Sequence, residues 1–95
     1  MRNPTVDPTN RFVTVVAQTA MIGCIRATEK QAKSDEWKNE PNMIKMFRND
    51  AKDYRKVLAL AKAGKLREAK SLMCSLDTGA REVIPDSFWY LVNPE

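Results

Sequence analysis

The sequence predicts an all-α domain: a small bundle of three main helices, at about 8–37, 40–63 and 65–77, closed by a short C-terminal helix at about 86–92. Three observations carry this. Ile44, Phe47, Ala51, Tyr54, Leu58 and Ala61 recur at alternating spacings of three and four, the period of one helix face. Two amphipathic runs in "VLALAKAGKLREAKSLM" (57–73) meet at a single glycine, Gly64. Only three glycines and five prolines occur in 95 residues, and the prolines sit near the ends and at one internal break.

A chain of this length makes one domain, near the lower limit for burying an adequate core. It is read as a single helical domain over 1–95, with residues 1–7 as an extended N-terminal arm. In "DPTNR", Asp7 is suited to cap the first helix and Pro8 to its first position. Phe12, Val16, Ala20, Gly23/Cys24, Ala27 and Gln31 then follow at helical spacing. The face is rich in small residues (Ala17, Ala20, Gly23, Ala27), which let another backbone approach closely. That backbone belongs either to a neighbouring helix or to a second copy in a homodimer. Val13, Val15 and Val16 lower the intrinsic helix propensity, so packing must hold the segment.

"KNEPN" ends this helix at about Trp37 and starts the next, with Asn39 or Glu40 as cap and Pro41 in the first turn. Met43, Met46, Val57 and Leu60 widen the apolar stripe of helix two. Helix three turns Leu66, Ala69, Leu72, Met73 and Leu76 inward, and Gly79 marks its exit. With almost nothing between them, helices two and three form an antiparallel hairpin. After a polar connector, "PDSFWYLV" closes one end of the bundle as a short helix, or as a strand given its aromatic and β-branched content.

From Ala51 onward, "ALAKAG" (59–64), "KLREAKSLM" (65–73) and "PDSFWYLV" (85–92) resemble a single pentatricopeptide-type helical hairpin and, more loosely, a tetratricopeptide one. The resemblance covers under half the chain. It implies the hairpin geometry; in that family, polar residues on each first helix read one RNA base per repeat. The matching position here holds Arg55, not a small polar residue, and the connector Asp77–Ile84 is two residues too long. An isolated unit also cannot bury its own apolar face, so helix one must cover it.

Histidine is absent, which removes Ser-His and Cys-His nucleophile pairs, and two cysteines cannot make a four-ligand zinc site. Cys24 and Cys74 fall at apolar positions and are read as buried free thiols in a reducing compartment; a disulfide joining them is the alternative. The isolated glycines form no phosphate-cradling loop. Of the carboxylate pairs, Asp35/Glu36 and Asp50/Asp53, only the second shares a helix face, and a chain this small offers it no enclosing pocket. No enzyme activity and no cofactor are expected. The most apolar stretch, "FVTVVAQTAMIGCI" (12–25), is shorter than the roughly 20 residues a span needs and is interrupted by Thr14, Gln18 and Thr19. "MIGC" (21–24) resembles a lipoprotein cleavage box, but Asp7, Pro4, Pro8 and only two basic residues precede it. No membrane contact and a cytoplasmic location are expected.

The candidate contact residues fall into two sets. Lys45, Arg48, Lys52, Arg55 and Lys56 form a basic stripe on helix two, suited to phosphates or to an acidic partner. A merely solvated face is the alternative, since Asp50 and Asp53 lie alongside and the chain's formal net charge is only +4. Phe88, Trp89 and Tyr90 fan around the terminal helix, leaving Trp89 or Tyr90 accessible as an interface anchor. Trp37, in the charged segment "SDEWKNE" near Met43 and Met46, sits where the rim of a contact surface would be. The leading expectation is a small, non-catalytic helical interaction protein that docks on a protein partner. Adaptor, subunit and inhibitor are its forms, including inhibitors of the kind phages and mobile elements encode. A nucleic-acid-binding protein using the basic stripe is the alternative.

Overall fold

The computed structural model describes residues 8–92, with side chains from Thr14 onward. Five helices follow in order: α1 (Pro8–Ala32), α2 (Pro41–Lys62), α3 (Leu66–Ser75), α4 (Thr78–Val83) and α5 (Asp86–Val92), with a 3₁₀ turn at Asp35–Trp37 between α1 and α2. The described residues contain no strand, so the terminal segment is a helix. The expected arm at 1–7 and the Asp7 cap lie outside the described residues. None of the described helices is long and apolar enough to cross a membrane.

α1 lies along α2 on one side and α5 on the other, and α3 packs against both α2 and α5. The core between them holds Met21, Ile25, Tyr54, Val57, Leu58, Met73, Ile84, Phe88 and Val92, with Ala17, Ala61, Ala69 and Ala80 filling the close approaches. α2 is amphipathic as its spacing predicts, burying Ala51, Tyr54, Leu58 and Ala61, while Ile44 and Phe47 are half-buried.

The α2–α3 junction is a Schellman turn. Lys65 N–H donates to the Leu60 carbonyl at 2.9 Å and Gly64 N–H to the Ala61 carbonyl at 3.0 Å. Gly64 takes a φ of +80°, which L side chains rarely adopt. The glycine therefore ends α2 and lets α3 fold back after only three intervening residues, Ala63, Gly64 and Lys65.

Four expectations need correction. Helix one stops at Ala32 rather than Trp37, because Ser34 adopts an extended conformation and its hydroxyl accepts from Glu36 N–H at 3.1 Å, starting a separate turn. Helix three ends at Ser75 rather than residue 77. The polar connector is not a loop: residues 78–83 form α4, with Gly79 inside it, and Ala80 is buried. The buried face of α1 runs through Ala17, Met21, Ile25, Thr28 and Ala32, one residue out of phase with the stripe through Val16, Ala20, Gly23 and Ala27. Both stripes are apolar, and the one with the larger side chains faces inward.

Tyr54 ties α4 to the core. Its hydroxyl donates to the Ala80 carbonyl at 2.7 Å, and its ring is almost fully buried. Tyr54→Phe removes that buried hydrogen bond and should cost about 1–2 kcal/mol in urea denaturation. Burial, with the negative charge of Asp50 adding to it, pushes the Tyr54 phenol well above its ordinary value. The unfolded chain's tyrosine ionises first, so this stability is present below about pH 10 and falls as the pH rises further. The wild-type protein should lose stability in that range more steeply than the phenylalanine variant.

Candidate functional site

Two of the five stripe residues do not belong with the others. Arg48, Lys52 and Arg55 lie on the flank of α2 that turns toward α1 and, with Lys33 and Glu29 from the end of α1, line a groove of about 450 Å³. Ala32 and Ala51 line it as well, both buried, so small side chains form its floor and long charged ones its rim. Lys45 points to the other side of α2, into a groove shared with Asp50, Asp53 and Asp77. Lys56 is exposed and lines neither groove.

The basic groove continues along α1. Arg26, Lys30, Lys33, Glu29 and Ser34 line a second concavity that shares Glu29 and Lys33 with the first. Together the two carry six basic side chains against one carboxylate, formally +5, whereas the whole chain is +4. The rest of the molecule is therefore formally −1. The fold gathers six basic side chains and one carboxylate on one concave surface, while the other ten basic and eleven acidic residues nearly cancel, which concentrates positive potential there.

Glu29 is engaged within this surface. Arg55 Nε donates to its Oε2 at 3.0 Å, and Arg55 Nη2 donates to the same oxygen. Both side chains are substantially exposed, so an ion pair of this kind contributes only about 0.2–1 kcal/mol and is weakened by salt.

On the opposite groove, burial raises the Asp50 carboxyl above its ordinary value, and the charges of Asp53 and Asp77 push the same way. A raised carboxyl favours folding below the unfolded-state pKa and loses that contribution as the pH rises through the folded-state value. At neutral pH the charge is therefore a cost. Asp50→Asn should raise the Tm at pH 7 slightly, because the group is largely solvated, and the gain should shrink as the pH falls into the ordinary carboxylate range. Thermal melts across that pH range check this.

The aromatic candidates are placed unequally. Trp37 is half-buried: its ring lies 5.8 Å from Phe47, tilted by 49°, and its Nε1 donates to Gln31 at 2.9 Å. It braces the α1–α2 turn. Trp89 is also half-buried, packed on the core, with Nε1 donating to the Arg81 carbonyl at 3.4 Å. Tyr90 is 57% exposed on the outer side of α5. Met46 is exposed and Met43 half-buried.

Both cysteines are free, which removes the disulfide alternative, but Cys74 is exposed rather than buried. Cys24 is half-buried; its thiol donates to the Val83 carbonyl at 3.6 Å, and burial pushes it above its ordinary value, which suppresses the reactive thiolate. On the small-residue face of α1, Ala17 is buried in the core, Ala20 is half-buried, and Gly23, Ala27 and Val16 are exposed. A Cβ added at Gly23 would meet nothing within 4 Å, so no approach within the monomer requires that glycine.

Fold and groove together define a helical protein with a concave basic surface. No family profile, curated protein or solved structure matches the chain. The functional reading therefore rests on the residues themselves.

Proposed function

We propose that this is a small, non-catalytic helical binding protein that docks on an anionic macromolecule through the groove between α1 and α2. Nucleic acid is the partner this surface suits best. The observation that carries the reading is the convergence of Lys33, Arg48, Lys52 and Arg55 on a concave surface floored by Ala32 and Ala51. No aromatic side chain lines that groove, so bases have nothing to stack on and the contacts fall on phosphates. Such binding is insensitive to sequence and steeply dependent on salt. Four phosphate contacts imply that log K falls with log salt at a slope of roughly −3 to −3.6, or about 10²-fold between 50 and 200 mM. Fluorescence anisotropy of a labelled oligonucleotide across that range tests it. Absence of binding at the lowest salt would remove the nucleic-acid reading.

A protein partner, with this chain as adaptor, subunit or inhibitor, is the second reading, and the exposure of Tyr90 favours it. A tagged pull-down with and without nuclease separates the two. Self-association through Val16, Ala20, Gly23 and Ala27 is a further proposal, tested by whether the sedimentation mass rises with concentration. A cytoplasmic location fits each of these roles.

A further inference from the structure

The surface contains its own anion. Glu29 is the one acidic side chain among the described residues that line the two basic grooves, and it stands where they join. Two N–H groups of Arg55 donate to one oxygen of its carboxylate, so Glu29 occupies donors that a phosphate oxygen would otherwise take. We propose that the two grooves form one continuous track for a nucleic-acid phosphate backbone, running from Arg48, Lys52 and Arg55 across Lys33 to Arg26 and Lys30, and that Glu29 occupies a phosphate position in the free protein. The proposal rests on the nucleic-acid reading above and extends it in two ways. It adds two residues of α1, Arg26 and Lys30, to the site, and it makes Glu29 a competitor that the ligand displaces.

The free and ligand-bound proteins differ in which anion Arg55 holds. In the free protein, the Arg55–Glu29 pair offsets part of the mutual repulsion of the six cations. Both side chains are exposed, so the pair opens at little cost. When a phosphate arrives, Arg55 exchanges one oxyanion for another, and Glu29 is left beside the ligand's negative charge. Glu29 therefore lowers affinity for any polyanion and reduces the number of counterions released on binding.

Glu29→Gln keeps the size and polarity of the side chain and removes both effects. It should bind a fluorescein-labelled single-stranded oligonucleotide about three- to tenfold tighter than wild type, with a salt slope steeper by roughly 0.7, equivalent to one added phosphate contact. Glu82→Gln, on α4 in a different concavity, makes the same change in net charge and should shift affinity less than twofold. Arg55→Gln should weaken binding more in the Glu29→Gln background than in wild type, because only there is Arg55 free before the ligand arrives. On the α1 side, Lys30→Gln should lower the slope by about the same amount.

The outcomes are separable. If wild type binds and Glu29→Gln binds no tighter, Glu29 positions Arg55 and the displacement idea is wrong. If Lys30→Gln leaves the slope unchanged, the track ends at Lys33. If a polyglutamate peptide of matched charge binds as tightly as the oligonucleotide, the occupant is an acidic protein and the commitment to phosphate is overturned. If no variant binds either probe at low salt, the underlying reading falls and this inference with it. Circular dichroism of each variant should match wild type.

Discussion

Replacing Phe88 with alanine is expected to cost about 3–5 kcal/mol, lowering the Tm by at least about 12 °C. Phe88 is fully buried, and it sits on a helix of seven residues that is far too short to persist alone. α5 holds its place by packing on α1 and α3, with Phe88, Val92 and Ile84 in one core cluster, and by the Trp89 hydrogen bond to Arg81 on α4. Truncation removes a large apolar surface and leaves a cavity that the flanking helices can only partly close. For a domain whose whole stability is about 5–15 kcal/mol, that is a large share. Tyr90→Ala, two residues on, should stay within about 0.5 kcal/mol because the side chain points to solvent. Urea denaturation of the pair measures both. Equal losses at the two positions would mean that α5 is docked on a different face.

The second large effect concerns binding. Arg48→Glu with Lys52→Glu should weaken oligonucleotide binding by about 10²-fold or more, since each lost charge-assisted contact is worth about 1.5–3 kcal/mol and each new carboxylate repels the ligand. Both positions are exposed, so the fold should be preserved. Lys45→Glu with Lys56→Glu makes the same charge change on the same helix but outside the groove, and should weaken binding far less. A stripe acting only by its total charge would lose equally in both cases. Anisotropy titrations of the two double variants at fixed salt therefore distinguish a groove from a generally basic helix.

The contrast shows what the sequence could and could not convey. α2 was legible because its apolar residues are large and regularly spaced, and Gly64 was legible because a left-handed helix end selects glycine. The phase of α1 was not. Residues 12–25 are apolar or small around most of the circumference, so periodicity alone cannot choose between the stripe through Ala20 and the one through Met21. α4 was hidden because "TGAREV" has little intrinsic preference for helix, and the buried Ala80 with its hydrogen bond from Tyr54 supplies what propensity does not.

The candidate site was half visible. A helical period puts Lys45, Arg48, Lys52, Arg55 and Lys56 on one strip, but only the packing of α1 decides which of them face a concavity. Glu29, Lys33, Arg26 and Lys30 were missed because no motif links α1 to α2. One signal did exist: Arg26, Lys30 and Lys33 follow at spacings of four and three, a second basic strip on a helix already expected to cover the hairpin. The aromatic candidates stood out by residue type, yet the fold uses Trp37 and Trp89 internally and exposes Tyr90 alone of the three.

The central claim is that the α1–α2 groove is the working surface. Titrating the ¹⁵N-labelled protein with a short oligonucleotide at low salt and following backbone amide shifts tests it most directly. Progressive shifts concentrated at residues 26–34 and 48–55, with α5 unmoved, are the predicted result. Shifts centred on Tyr90 and α5, or none at all, would contradict it.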